Sequence, residues 1–358
     1  MTLAAGPEPD RAAAAPVPPV ASGARFALLT PAHHPAATTT DAAAAADRVV
    51  APTDLADPAG NARSALRSPV RPEIEHPTHP AIPRAAERPG GPWATWSPCT
   101  VEECLPARAT TGWWRLARRA AALLAVLAVA AVLLPVAAWL GGRVLGPVLR
   151  SLHRAVLGAA GVRLVVRGGP LAPSGGRGAL VVADHTSWID VPALGAIGPV
   201  TMLAKREVRD WPVVGVLAAR TGTLFVHREG LSRLPGTVAA AAAALRSGTL
   251  VGVFPEATTW CGAAGGDYRR APFQAAVDAG VPVRPVTVVI TTLDGRPTTA
   301  AAFVGGQTLG DAVGRVLRLP GLVCEVTVGD LIEPGTDDRR VLAARARDAV
   351  RHPHRCRR

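Results

Sequence analysis

The chain has 358 residues and a formal net charge of +12, contributed almost wholly by arginine, with Lys205 as the single lysine. Such a balance favours anionic partners, yet no zinc-finger spacing, RNP-type sequence or aromatic-interleaved basic stripe accompanies it, which excludes the common nucleic-acid modules. Five cysteines, at 99, 104, 261, 324 and 356, form no C-x-x-C pair, which argues against a zinc site or a disulfide framework and fits a reducing compartment.

Residues 1–90 are dominated by Ala, Pro, Thr and Arg without a sustained apolar period. A segment of that kind cannot bury enough surface to offset its ordering entropy, so a disordered Ala/Pro-rich tail is expected there. Its first fifteen residues have neither a basic start nor an apolar run and do not read as a secretory signal. Residues 91–119 read as a linker closing on a Trp/Arg anchor, with Trp113 and Trp114 followed by Arg115, Arg118 and Arg119. From 120 to 142 there is no charged residue; about 20 such residues cross a bilayer core. Pro135 interrupts the run, so the segment either spans the membrane or enters a single leaflet as a kinked helix. Arginines flank it on both sides, so charge does not set its orientation. Residues 144–157 are amphipathic and basic, suited to lying along a membrane surface. Together, residues 120–160 form a membrane helix and an amphipathic segment.

From 161 to 335 the texture changes to an α/β domain. Strands are expected at 162–167, 179–183, 200–203, 223–226, 250–254, 283–290, 301–304 and 323–328. Helices are expected at 191–197, 206–219, 232–247, 270–279, 308–317 and 338–351. Apolar strands alternating with helices imply a mostly parallel sheet covered on both faces. The Gly-rich loop 168–178 lacks the G-K-[ST] ending of a phosphate-binding loop and reads as a hairpin turn. Residues 336–358 form a C-terminal helix and a solvated basic end that includes Arg351.

Four blocks carry chemistry. The apolar run 179–183 breaks on Asp184-His185, and Asp190 with Pro192 then opens a helix. His185 therefore sits at the carboxyl end of a strand, where α/β folds place their reactions. Asp190, one turn on, can hold the imidazole as a general base by fixing its tautomer. Next, Arg228 follows a short apolar strand. Third, Phe254-Pro255-Glu256-Ala257-Thr258-Thr259 ends the strand at 250–254, with Glu256 read either as a helix cap or as a substrate contact. Fourth, Pro285 precedes an apolar strand.

In this order the blocks resemble the glycerol-phosphate and lysophospholipid acyltransferase family, which includes the lysophosphatidic acid acyltransferases. The resemblance covers roughly residues 144–330 and implies a glycerolipid acyltransferase-like α/β fold preceded by a membrane-embedded helix. It implies His185 and Asp190 as the catalytic pair, Arg228 as the holder of the acceptor's phosphate, and Phe254, Pro255, Glu256, Thr258 and Pro285 as substrate-binding positions. Two residues depart from the family's usual Phe-Pro-Glu-Gly-Thr-Arg: Ala257 replaces Gly and Thr259 replaces Arg. A guanidinium makes bidentate bonds to phosphate, whereas a threonine offers one neutral hydroxyl.

The expected activity is transfer of a fatty acyl group from acyl-CoA or acyl-carrier protein to a lysophospholipid hydroxyl. The leading acceptor is 1-acyl-sn-glycerol-3-phosphate, giving phosphatidic acid. Another lyso-lipid, an aminolipid or a glycolipid is the alternative acceptor, and a membrane-tethered lipid-binding protein without catalysis is the alternative class. No cofactor beyond the thioester co-substrate and no metal is expected. Membrane lipid and the acyl thioester, carried on CoA or alternatively on acyl-carrier protein, are the expected partners, with the catalytic domain on the cytoplasmic side of the cell membrane.

Overall fold

The computed structural model describes residues 95–106, 111–211, 214–220, 222–226 and 234–351. The tail expected at 1–90, the basic end beyond Arg351, and Arg228 lie outside them.

Among the described residues, seven strands form one sheet: β1 (Val162–Gly168), β2 (Ala179–Val182), β3 (Val200–Lys205), β4 (Leu224–Val226), β5 (Leu250–Val253), β6 (Val283–Thr292) and β7 (Leu322–Val328). Their order is β1-β7-β6-β2-β5-β3-β4, and every pairing is parallel except β6 with β7. From β2 the chain runs to one side through β3, β4 and β5, then returns to the other through β6 and β7. The carboxyl end of β2 is thus a topological switch point, the usual position of a ligand crevice in open α/β sheets.

Strand β2 reads Ala-Leu-Val-Val because both its faces are covered. Leu180 and Val182 enter one cluster with α6 (Leu234–Arg246), α7 (Ala271–Ala279) and α9 (Arg339–Arg351). Ala179, Val181 and Ala183 enter the other with α4 (Asp190–Ile197) and α8 (Leu309–Arg318). A strand buried on both faces loses the polar alternation of a surface strand, and each buried Val or Leu contributes roughly 1.5–3 kcal/mol.

Three expected elements differ. Ala301, Ala302 and Val304 are buried and Phe303 half-buried, but residues 301–304 form no strand; their backbone is engaged by loop residues and side chains rather than by a ladder. The helix expected over 206–219 is broken into a 3-10 turn, Arg206–Asp210, and α5, Val214–Arg220. Trp211 between them is extended, at φ −72° and ψ 131°, as the residue before a proline must be. The 168–178 loop is no hairpin turn, because β7 and β6 lie between β1 and β2.

A short helix, α1 (Val101–Cys104), is capped by the Thr100 side chain. It precedes α2 (Trp113–Leu140), a 28-residue helix about 42 Å long at 1.5 Å per residue. The Trp/Arg anchor is the first two turns or so of α2 rather than the end of a linker. The expected interruption at Pro135 does not occur: the helix continues through it, giving up one hydrogen bond. Gly141, at φ +95°, is the single residue between α2 and α3 (Gly142–Ala159), and the two helices pack on one another. Positive φ at this reversal suits glycine. The hairpin is rooted in the domain at both ends. Arg119 donates to the Leu317, Leu319 and Pro320 carbonyls at the end of α8, and Leu157 of α3 is buried in the core. Leu124, Val132, Val136 and Trp139 between those roots are exposed. By length and composition the Trp113–Trp139 stretch is able to cross a membrane.

Candidate active site

Strands β2 and β5 pair in register with Val182 opposite Val253. Three residues beyond each lie His185 and Glu256, so the sheet itself brings the first and third sequence blocks side by side. The His185 N–H donates to Glu256 Oε2 at 3.0 Å, and the Trp260 N–H donates to the His185 carbonyl at 2.9 Å. Both backbone groups of His185 are thereby held by the loop that follows β5.

Asp190 is the first residue of α4 and its side chain is fully buried. It does not cap its own helix, as expected from the sequence, but reaches back to the turn before it. Its Oδ2 accepts the Thr186 N–H at 2.7 Å and the Ser187 N–H at 2.8 Å, and lies 3.0 Å from His185 Nδ1. With Nδ1 donating to this carboxylate, the tautomer is set and Nε2 is left as the basic nitrogen. Phe254 stacks on the imidazole, with ring centroids 4.1 Å apart and planes 9° apart. The His185 side chain retains 21% exposure, enough for one edge of the ring to meet a ligand.

Glu256 caps no helix. Besides His185, its carboxylate accepts the Gly266 N–H at 2.6 Å and Arg351 Nη2 at 3.2 Å, both on Oε1. Arg351, in the last turn of α9, also bonds the Gly266 carbonyl at 2.7 Å and pairs with Asp184 Oδ2 at 3.3 Å. Tyr268 completes the group by donating to Asp184 Oδ1 at 2.7 Å. The glycines at 265 and 266 make room for it: a Cβ at 265 would sit 2.5 Å from Arg351 Nη2, and one at 266 would sit 2.6 Å from Trp260 Nε1. Burial, then the nearby Asp184 charge, pushes the Glu256 carboxyl up to about 8, against the pull of the two backbone N–H groups and Arg351. Burial likewise raises the Tyr268 phenol well above its ordinary value, with the Asp184 charge adding to it.

Behind the loop runs the segment mistaken for a strand. The Phe303 N–H donates to the Thr186 carbonyl at 2.8 Å, Ser187 Oγ donates to the Ala301 carbonyl at 2.7 Å, and the Thr259 hydroxyl donates to the Phe303 carbonyl. Arg315 from α8 donates to the Ala300 and Ala302 carbonyls. Residues 300–303 are thus a strap that ties the His185 turn to the Glu256 loop.

The structure brings His185, Asp190, Phe254, Pro255 and Glu256 together at the carboxyl ends of β2 and β5. Pro255 is buried and its carbonyl accepts the Arg269 N–H at 2.8 Å. Thr258 is half-buried in the same turn. Pro285 is buried in β6 opposite Val182, at the root of the His185 loop. Ala257, at the family's glycine position, adopts φ +64°, a region that a side chain disfavours. Arg351 is the component that sequence reasoning missed, having been assigned to a solvated end. One signal was available: a buried carboxylate such as Glu256 requires a cationic or N–H partner.

The fold also gathers cysteines that looked scattered. Cys99, Cys104 and Cys261 are buried with their sulfurs within 4.8 Å of one another, a proximity no local spacing announces.

A family model described as Acyltransferase matches residues 163–289. A lyso-ornithine lipid O-acyltransferase from Pseudomonas aeruginosa is 39% identical over 173 residues, which is 48% of this chain and 66% of that protein's length. A 1-acyl-sn-glycerol-3-phosphate acyltransferase from Neisseria meningitidis is 33% identical over 203 residues, 56% of this chain and 78% of that one. Among solved structures, the 1-acyl-sn-glycerophosphate (LPA) acyltransferase PlsC from Thermotoga maritima superposes with a TM-score of 0.51. It covers 67% of this chain and 95% of its own at 20% identity, a likeness of fold.

Proposed function

The chain belongs to the glycerol-phosphate and lysophospholipid acyltransferase family, a family of O-acyltransferases, and from that premise we propose that it acylates the hydroxyl of a membrane lyso-lipid from an acyl thioester. The observation that carries this reading is the His185–Asp190 pair, with Nδ1 committed to the carboxylate. His185 Nε2 takes the acceptor's hydroxyl proton as that oxygen attacks the thioester carbonyl carbon. The tetrahedral oxyanion collapses, the C–S bond breaks, and the imidazolium returns the proton to the departing thiolate. The products are an ester and a free thiol, and no acyl-enzyme forms. Asp190 orients the ring and stabilises the imidazolium. Phe254 fixes the ring plane, and Glu256 with Arg351 positions the His185 backbone. Arg228, by resemblance, holds the acceptor headgroup. Acyl-CoA or acyl-carrier protein serves as co-substrate, and the step needs no metal at the reacting atoms.

The α2–α3 hairpin associates the enzyme with the membrane from which the acceptor comes, and the catalytic domain faces the cytoplasm, where acyl thioesters are made. Because both ends of the hairpin root in the domain, the chain enters the bilayer and returns on the same side.

Two acceptors compete. A phosphate-bearing one, 1-acyl-sn-glycerol-3-phosphate, matches the name of the Neisseria relative. A lyso-aminolipid matches that of the Pseudomonas relative and is favoured by a specific observation. Thr259 stands where the family's arginine is usual, and its hydroxyl is spent on the Phe303 carbonyl, so it presents nothing to a phosphate. The test is competition in mixed micelles between lysophosphatidic acid and lyso-ornithine lipid, with oleoyl-CoA as donor. Faster turnover of the aminolipid supports the favoured acceptor. Faster turnover of lysophosphatidic acid reverses the choice, and turnover of neither removes the acyltransferase reading of the site.

A further inference from the structure

We propose that Cys99, Cys104 and Cys261 form a thiolate site for one thiophilic closed-shell cation, Zn2+ or Cu+, which staples the segment ahead of the membrane hairpin to the loop that holds His185.

The three side chains come from two segments separated by 162 positions between Cys99 and Cys261, and the Cys261 N–H donates to Cys99 Sγ at 3.3 Å. An N–H donated to sulfur is a common outer contact of a metal-bound thiolate. Each residue is at most 4% exposed, and Trp260, Ala302 and Val304 close the surrounding wall. Tetrahedral zinc thiolates have Zn–S bonds of about 2.3 Å, which places sulfurs roughly 3.8 Å apart. Sulfurs already within 4.8 Å of each other reach that spacing by side-chain rotation of about 1 Å. Among the described residues, the cluster contains no carboxylate and no imidazole. An all-sulfur, apolar-walled donor set selects soft ions over Mg2+, Ca2+ or Mn2+. Three sulfurs suit trigonal Cu+, or tetrahedral Zn2+ with one exogenous ligand.

The segments that carry the sulfurs are fixed independently of any ion. Thr100 caps α1, and Thr299 Oγ1 donates to the Cys104 carbonyl at 2.6 Å, tying α1 to the strap. Cys261 directly follows Trp260, whose N–H holds the His185 carbonyl. A cation here would lock 99–104 to 259–261, and through the Thr299 hydrogen bond to Cys104 the strap as well, all of which lead to the His185 turn. This role is structural and does not depend on which lipid is acylated.

The test uses the full chain, purified in detergent without chelator or affinity metal. Mass spectrometry of the acid-released metals is expected to show about one zinc or copper ion per chain, the metal found telling the two ions apart. Stripped protein titrated with Co2+ is expected to develop a sulfur-to-cobalt charge-transfer band that saturates near one equivalent, a readout that needs no variant. Cys99→Ser and Cys261→Ser should each lower metal content at least several-fold, whereas Cys324→Ser, in strand β7 away from the cluster, should leave it unchanged. Absence of metal from the isolated protein together with no saturable Co2+ or Cu+ uptake would overturn the proposal. So would metal content indifferent to the Cys99 and Cys261 substitutions, or a thiol count showing that two of the three form a disulfide.

Discussion

The His185–Asp190 turn and the α2–α3 hairpin satisfy burial in opposite ways. At the turn, carboxylates are hidden from water and held by hydrogen bonds: Asp190 Oδ2 by the nearby Thr186 and Ser187 N–H groups and the imidazole, Glu256 by two backbone N–H groups and the distant Arg351. On the hairpin, large apolar groups such as Val132 and Trp139 are left uncovered by the protein. A buried carboxylate is costly unless hydrogen-bonded, so the turn must be rigid. An exposed apolar helix is costly in water, so the hairpin must find lipid. One region is completed by the fold and the other by the membrane.

Breaking the turn at its centre gives the largest expected effect. Asp190→Asn keeps the side-chain shape but disturbs the tautomer of His185, and turnover should fall by roughly 10²–10⁴-fold with little change in KM; steady-state kinetics on folded protein check it. On the hairpin, Val132→Asp with Val136→Asp should cost about 2.5–3.5 kcal/mol of insertion energy per charge. The variant should move from the membrane pellet to the supernatant on ultracentrifugation while keeping turnover of a short-chain, water-soluble acceptor. If it pellets unchanged, lipid is not what covers this face.

Arg351 tests the turn's remote support. Arg351→Ala removes the donor that joins Glu256 Oε1, the Gly266 carbonyl and Asp184, a loss of about 1–3 kcal/mol, read as a lower denaturant midpoint. Turnover should fall with it, and Arg351→Lys should restore part of both. The same carboxyl predicts a pH dependence. Its folded-state value of about 8 lies above the ordinary 4.5, so its contribution to stability is fully present below about pH 4.5 and is lost as pH rises through about 8. Denaturation across that window, in wild type and in Glu256→Gln, should show the slope in the first and a flatter profile in the second. The smallest effect belongs to Ala257. Its φ of +64° suits glycine, and Ala257→Gly should stabilise by roughly 0.5–1 kcal/mol once the greater freedom of the unfolded glycine is subtracted, measured by the same melts.

The parts of this molecule legible in its sequence are those whose determinants are local. Strands β2 and β5 could be read because each is an apolar run stopped by charged or turn residues, and a mostly parallel sheet follows from their alternation with helices. His185 and Asp190 could be paired because five positions separate them. What escaped was set by distance along the chain. Residues 301–304 look like a strand by composition, but their carbonyls are taken by Ser187, Thr259 and Arg315, partners that periodicity does not report. Arg351 lies 95 positions from Glu256, inside a run of arginines that otherwise reads as solvated. Thr259 looked like a lost phosphate ligand; in the fold its hydroxyl is a tie for the strap.

The most direct test of the central claim is thioester turnover in detergent micelles. Free thiol would be followed with oleoyl-CoA and a lyso-lipid acceptor, comparing wild type with His185→Ala of matched near-ultraviolet circular dichroism. The account predicts acceptor-dependent thiol release by the wild type, reduced by roughly 10²–10⁴-fold in the variant. Undiminished release by folded His185→Ala would contradict the general-base role, whatever lipid is acylated.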